Sequence, residues 1–536
     1  MATCGEVLVK LLEAYGVDTV FGIPGVHTVE LYRGLPATGI RHITPRHEQG
    51  AGFMADGYAR VTGKPGVCFL ITGPGVTNAA TAMGQAYSDS IPMLVISAVN
   101  NTQDLAMGMG RLHELPDQRN VTAGYTVFSH TLLNPRDLAE VLARAFASFS
   151  GERPGPVHIE IPVNVITQEV KFIHDDAVIC PKPSPDYEVI QQAARELAAA
   201  KNPVILFGGG SVDASAEAVE LVEKLSAPAF LTLAAKGVVD EAHPLCGGAT
   251  LPFPCVHQVI AESDLVLAVA TEFSETDRNL HPDPIEINGR LIRIDIEAEQ
   301  LMRTHRPDLP ILGDARKALA KLNLALDGLE VAGWQGKGEE RVAALRQEIS
   351  SGLNDTLKRR INLLNVLREA LPPETIMVTD STQLAYEANH HFPVRQARGY
   401  ITCTTGYGTL GWALPAALGA RLGAPDRPVV CIIGDGGLQF TVGELAAGVE
   451  AGIGCAVIVW NNDGYGEIKD YMVAKQLPII GVDLFTPDFV GVARAMGCHA
   501  ERAGSLEQIV ELVMASASLD RPTLIEIHEK DGYLEL

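Results

Sequence analysis

Short apolar, β-branched runs recur along the chain: VCFLIT (67–72), MLVISAV (93–99), VILFG (204–208), LVLAVA (265–270), VVCII (429–433) and AVIVW (456–460). Ala-rich helical stretches separate them. This alternation predicts an α/β chain of doubly wound parallel sheets covered by helices. The Pro-rich ICPKPSPDY (179–187) and the charged helical region at 336–354 read as connections. Three domains are therefore expected, at 1–175, 188–340 and 355–536.

The first and third blocks look like copies of one plan. VCFLITGPGVTNAATAMGQAYSDSIPMLVISAVNN runs strand, Gly-x-Gly, helix, strand, Asn-Asn, and VVCIIGDGGLQFTVGELAAGVEAGIGCAVIVWNN runs the same way. Pro74 precedes Asn101 by 27 positions, as Asp435 precedes Asn462. Upstream, Gly50 and Ala59-Arg60 recur at the same offset as Gly411 and Ala420-Arg421. The copies differ where chemistry is decided, with Pro74 in one and Asp435 in the other. Proline offers no side-chain ligand, whereas a carboxylate is a hard oxygen donor suited to magnesium.

In open α/β sheets, ligands bind beyond the carboxyl ends of the strands. Asp435 and Asn462 each follow a predicted strand, so both can reach one point at that edge. With a backbone carbonyl near Gly464 they would supply three protein oxygens to magnesium, leaving room for two phosphate oxygens and a water. Gly434, Gly436 and Gly437 let the backbone approach phosphates, and the helix that starts nearby offers free N–H donors. A dinucleotide turn would need GxGxxG, but the sixth position from Gly434 is Gln439, and the run GGGS (208–211) also lacks the full pattern.

Composition narrows the class. The 536 residues carry 42 Lys+Arg against 65 Asp+Glu, a net charge of -23, which disfavours binding to nucleic acid or to an anionic membrane. No apolar run approaches the roughly 20 residues of a membrane span, and the start MATCGEVLVKLLEAYG lacks the features of a signal peptide. A cytoplasmic small-molecule enzyme is expected. Its nine scattered cysteines, with no CxxC, suit reduced and mostly buried thiols.

GDG, 24 residues, then NN resembles the cofactor motif of thiamine diphosphate enzymes. The three-block layout is similar to their acetolactate synthase and 2-oxoacid decarboxylase branch. RHEQGAGFMADGYAR, TGPGVTN, IRIDIEAEQL and GYGTLGWALPAALGA all look like segments of that branch, and the likeness covers essentially the whole chain.

The resemblance implies thiamine diphosphate and Mg2+ as cofactors, and at least a homodimer, with a homotetramer expected. In that family, a first-domain glutamate faces the aminopyrimidine of a cofactor whose diphosphate sits on another subunit's third domain. Glu48 matches it, and its carboxyl would share a proton with a ring nitrogen. Leu410 matches the apolar residue that bends the cofactor. Gly75, Asn78, Thr382, Gln383, Thr404, Gly408 and Tyr465 are the further positions expected to touch the cofactor, beside the metal set Asp435, Asn462 and Gly464. His27 is placed like a histidine of benzaldehyde lyases, and His113 lies where acetolactate synthases carry a glutamine. Either could move protons near neutral pH.

Departures narrow the subclass. The first domain lacks the paired His-His of pyruvate decarboxylases, and Ile468 stands where those enzymes place an acid. ATEFSETDRNL (270–280) lacks the Arg-Phe-Asp-Asp run that accompanies flavin in anabolic acetolactate synthases, so no FAD is expected. The N-terminal run GVDTVFGIPGVHTVELYRGLP looks most like the bacterial 5-guanidino-2-oxopentanoate (2-ketoarginine) decarboxylases, which implies conversion of that 2-oxoacid to 4-guanidinobutanal. A guanidinium tail needs acidic partners, for which Glu114, Asp117, Glu467 and Asp470 are candidates. An acetolactate synthase-like carboligase and a noncatalytic cofactor-binding or assembly protein are the alternatives.

Overall fold

The computed structural model describes residues 2–170, 177–278, 280 and 283–535. The expected end of the first block, at 175, and Asn279 of the ATEFSETDRNL stretch lie outside them. The chain divides into two compact units. The first comprises Met1–Pro181, Tyr407–Ala503 and Glu511–His528, and the second comprises Lys182–Gly406, Gly504–Val510 and Glu529–Leu536.

Within the first unit, β1 (Ala2–Thr3) pairs antiparallel with β8 (Glu169–Val170). The strands β2 (Thr19–Gly22), β3 (Arg41–Ile43), β4 (Gly66–Leu70), β5 (Met93–Val99), β6 (Phe128–Thr131) and β7 (Pro156–Pro162) form a parallel sheet in the order β3-β2-β4-β5-β7-β6. Every residue of β4, β5 and β7 is buried, as expected of strands covered on both faces.

The second unit contains β9 (Pro203–Phe207), β10 (Ala229–Leu231), β11 (Cys246–Gly248), β12 (Leu265–Val269), β13 (Arg290–Asp295) and β14 (Leu309–Leu312). They form a parallel sheet ordered β11-β10-β9-β12-β13-β14. With strands renumbered from β9 this is 3-2-1-4-5-6, the doubly wound order. The same unit holds the parallel pair β15 (Ile376–Thr379) and β16 (Tyr400–Thr402).

The remaining strands return to the first unit: β17 (Val429–Gly434), β18 (Ala456–Asn461), β19 (His499–Arg502) and β20 (Thr523–His528), ordered β17-β18-β20-β19. That order repeats β4-β5-β7-β6, so the duplication read from spacing is a duplication of topology. The α/β, parallel, doubly wound expectation stands.

The two copies meet through the helices Glu48–Thr62 and Ala413–Gly423. A Cβ on Gly57 would overlap the carbonyl of Ala416, and one on Gly419 would overlap that of Met54. Only glycine permits this approach. All nine cysteines are free thiols, and seven of them are buried. Among the described residues no helix is long and apolar enough to cross a membrane.

Candidate active site

Two clusters form in the first unit, each at the carboxyl ends of parallel strands. The first gathers around the start of the helix Glu48–Thr62. Glu48 is half-buried, and its Oε2 accepts from Asn78 Nδ2 at 2.9 Å. A Cβ on Gly75 would stand 3.5 Å from Glu48 Oε1, so the TGPGVTN turn lies against the carboxyl group. His27 Nδ1 is 2.9 Å from Thr72 Oγ1, and the His27 and His113 rings pack edge to face with centroids 5.6 Å apart. Burial first, and the neighbouring His113 second, hold His27 below its ordinary range, favouring neutral imidazole.

Helix placement here depends on a residue that sequence reasoning passes over. Glu444, buried in the helix Glu444–Glu450, accepts the backbone N–H groups of Arg46 at 3.0 Å and His47 at 3.0 Å, just ahead of Glu48. Burial pushes its carboxyl up to about 7, although those two N–H groups and the Arg46 charge pull it down. An unfolded glutamate titrates near ~4.3, so the stability Glu444 contributes is fully present below that pH and is lost as pH rises through about 7. The full loss is on the order of 3 to 4 kcal/mol. Replacing Glu444 with Gln keeps an acceptor and removes the titration. Melting temperatures followed from pH 5 to 7.5 are expected to fall less steeply in the variant than in the natural chain.

The second cluster gathers where β17 and β18 end. Asp435 is the first residue of the helix Asp435–Thr441 and is 1% exposed. Burial raises its carboxyl above the ordinary range, while the backbone N–H groups of Gly436, Asn462 and Gly464 hold it down. The Asp435 carboxyl therefore lies against the backbone of Asn462 and Gly464. The tandem asparagines divide their work: Asn461 Nδ2 donates to Glu526 Oε1 at 2.7 Å and its Oδ1 accepts Asp463 N–H at 3.1 Å, which turns the chain so that Asn462 follows at the strand's end. A Cβ on Gly436 would come within 2.7 Å of the Tyr465 ring.

The residues present fit a magnesium–diphosphate group. A buried carboxylate whose charge is penalised by its surroundings is relieved by a cation, and an asparagine amide and a backbone carbonyl are hard oxygen donors of the kind magnesium takes. Among the described residues no three His, Cys, Asp or Glu side chains converge on a point.

The GYGTLG loop is anchored by the first copy. Thr409 N–H donates to Gln85 Oε1 at 3.2 Å, and Gln85 Nε2 donates to Asp89 Oδ2 at 2.6 Å, the oxygen that Arg60 also grips. Tyr407 lies so close over Gly84 that a Cβ there would meet its hydroxyl at 2.6 Å. Leu410, next to Thr409, is half-buried, and Gly408 has φ 70°. Gln85 is a second residue the sequence does not single out, since its partner is 324 positions away.

Other expected positions lie elsewhere. In the second unit, Thr382 precedes the helix Gln383–His391, Gln383 Oε1 accepts from Arg360 Nη2 at 2.9 Å, and Thr404 Oγ1 accepts from Asn389 Nδ2 at 3.1 Å. Of the four candidate substrate acids, Asp117 caps the helix Gln118–Ala123 through Asn120 N–H at 3.0 Å. Glu114 accepts the N–H of Arg111 at 2.9 Å within its own loop. Glu467 and Asp470 are exposed on the helix Gly466–Ala474, which buries none of its residues. Around and beyond that helix, Ile468, Tyr471, Ile480 and Phe485 are exposed apolar side chains.

Three family models match the chain. Residues 2–121 match the thiamine pyrophosphate enzyme N-terminal TPP binding domain, 190–322 the central domain, and 380–527 the C-terminal TPP binding domain. The chain is 46% identical over 530 residues to a protein of Pseudomonas aeruginosa named probable 2-ketoarginine decarboxylase AruI, covering 98% of this chain and 94% of that one. It is 33% identical over 473 residues to the acetolactate synthase isozyme 1 large subunit of Escherichia coli, covering 87% and 82%. It is 30% identical over 549 residues to the acetolactate synthase large subunit of Corynebacterium glutamicum, covering 98% and 86%.

Proposed function

The chain belongs to the thiamine pyrophosphate enzymes, and from that premise we propose that it decarboxylates a 2-oxoacid to an aldehyde, with 5-guanidino-2-oxopentanoate as substrate and 4-guanidinobutanal as product. The observation that carries the reading is the 46% identity, along 98% of the chain, with a relative named as a probable 2-ketoarginine decarboxylase.

Bound thiamine diphosphate supplies the carbon nucleophile and the electron sink that decarboxylation needs. Asp435, Asn462 and Gly464 would hold its magnesium and diphosphate, with Gly434, Gly436, Gly437 and Tyr465 lining the approach. Glu48 would hold a proton at its carboxyl group, oriented by the amide of Asn78. Leu410 would press on the cofactor from a loop that Gln85 fixes. His27, kept neutral by its surroundings, can accept or deliver a proton, with His113 beside it. The C1–C2 bond of the substrate breaks, carbon dioxide leaves, and a proton ends on C2. No oxidant is consumed, which agrees with a reaction that needs no FAD.

Asp117 borders the His113 loop and keeps lone pairs beyond those used by Asn120, so it can receive a guanidinium N–H, whereas the backbone N–H groups of its own loop engage Glu114. The exposed apolar side chains of Ile468, Tyr471, Ile480 and Phe485 suit burial against another copy of the chain, in a homodimer at minimum and a homotetramer at the next level. A cytoplasmic place of work suits its free thiols.

The test is product analysis after incubation with thiamine diphosphate and Mg2+. Carbon dioxide and 4-guanidinobutanal from 5-guanidino-2-oxopentanoate are the expected result. Acetolactate from pyruvate, without turnover of the guanidino acid, would replace this reading with carboligation, which the 33% identity to an acetolactate synthase subunit favours as the second choice.

A further inference from the structure

Behind the His27–His113 pair, β5, β7 and the helix Gln118–Ala123 enclose a run of buried polar side chains. Gln118 is 3% exposed and stands at its centre. Its Oε1 accepts the N–H of Gly73 at 2.7 Å. Its Nε2 faces Ala98 O at 3.0 Å, Glu160 Oε2 at 3.0 Å and Ser97 Oγ at 3.1 Å. The Ala98 carbonyl can only accept and the Gly73 N–H can only donate, so the amide has one orientation. Glu160 is fixed in turn by Thr131 Oγ1 at 2.6 Å, and Ser97 by His158 Nε2 at 2.8 Å. His158, pushed down to about 3 by burial, is neutral, and its Nδ1 lies 2.8 Å from Ser129 Oγ and 2.9 Å from Thr122 Oγ1.

Gly73 opens the turn that lies against Glu48. It takes φ 67°, and a Cβ on it would overlap the His113 carbonyl. His113 itself has φ 59°, an uncommon conformation for a residue with a side chain, which persists only where surrounding contacts enforce it. One amide thus secures both pieces of chain that face the candidate catalytic cluster: the Gly73–Gly75 turn through a hydrogen bond, and the His113 loop by being its far end.

The geometry points to Gln118 as a positioning residue that acts through Gly73 and the His113 loop to set the groups around Glu48, an inference that rests on the decarboxylase reading of that cluster. Among the described residues, Gln118's hydrogen bonds go to Gly73, Ser97, Ala98 and Glu160 and none to the Asp435 cluster, so cofactor anchoring and turnover respond differently to its loss.

The experiment compares Q118E, Q118M and the double variant Q118E/E160Q with the natural full-length chain. In Q118E the new carboxylate still accepts from Gly73 but faces the carboxylate of Glu160. In the double variant the side-chain amide moves to position 160 and can donate back. Q118E and Q118M are expected to lose at least about tenfold in kcat, with half-saturation by thiamine diphosphate within about threefold of the natural value, and the double variant to regain most of the loss over Q118E. Hydrogen exchange of the peptide spanning Gly73, measured without cofactor, is expected to be slow in the natural chain and faster in Q118M. That arm needs no turnover: a natural chain inactive on every 2-oxoacid would overturn the decarboxylase reading, whereas exchange at Gly73 would still judge the clamp. Unchanged exchange in Q118M, undiminished kcat in Q118E, or a double variant no better than Q118E would each overturn the proposal.

Discussion

Replacing Glu48 with Gln is expected to lower decarboxylation on the order of 10²- to 10⁴-fold, the range that a positioned acid–base group supplies. The side chain keeps its length and an oxygen to accept from Asn78 Nδ2, now 2.9 Å from Oε2, so the start of the helix has no reason to move. What disappears is the ability to hold and release a proton. Steady-state decarboxylation, a thermal melt and cofactor titration by quenching of Trp460 form the measurement. The expected pattern is lost turnover with unchanged melting and near-unchanged binding. Turnover near the natural rate would sink the assignment of Glu48, and a collapsed melt would mean that its role is in the fold.

The second large effect is at Asp435, and its two halves have opposite signs. Burial already makes the ionised carboxylate costly in the protein without cation, because desolvation outweighs the four backbone N–H groups that favour it, its own among them. Asp435→Asn removes that cost. The variant is expected to melt no lower than the natural chain at pH 7 when neither has cofactor. On adding thiamine diphosphate and Mg2+, the natural chain should gain about 2.7 kcal/mol at 100 times Kd, and the variant nothing measurable. In the folded natural chain, stability contributed by this group is lost as pH rises through its folded value, so the variant's advantage without cofactor should shrink toward acid pH. A variant that still gained stability from the cofactor and Mg2+ would remove Asp435 from the metal site.

Much of the fold is legible in the sequence because buried parallel strands leave dense apolar runs, and each of the six quoted runs falls on a strand of the structure, some overrunning it by a residue or two. That the Asp435 carboxyl lies against the backbone of Asn462 and Gly464 is legible for a related reason: Asp435 and Asn462 each directly follow a strand, and the ends of parallel strands share one edge. The supports of the site are not legible. Glu444 meets Arg46 across 398 positions, and Gln85 meets Thr409 across 324, and in both cases the donor is a backbone N–H that carries no mark in the sequence. Nor does the text NN say which asparagine serves structure, a matter settled by Glu526 arriving on β20. The acids near His113 illustrate a further limit. Their charge is visible, but the loop N–H groups that engage Glu114 and the cap made by Asp117 depend on a local turn that composition does not specify.

The crossing of the helices Glu48–Thr62 and Ala413–Gly423 has a bearing on how such a chain can arise. Gly57 meets Ala416 and Gly419 meets Met54, so positions rise along one helix as they fall along the other. Under the offset that carries Gly50 to Gly411, Ala416 and Gly419 correspond to positions 55 and 58, so both contacts are centred on position 56, the arrangement an isologous pair of one module would have. Joined in a single polypeptide, such a pairing does not depend on concentration. Neither half has to serve as its own partner, so the two turns can differ, with Pro74 in one copy and Asp435 in the other.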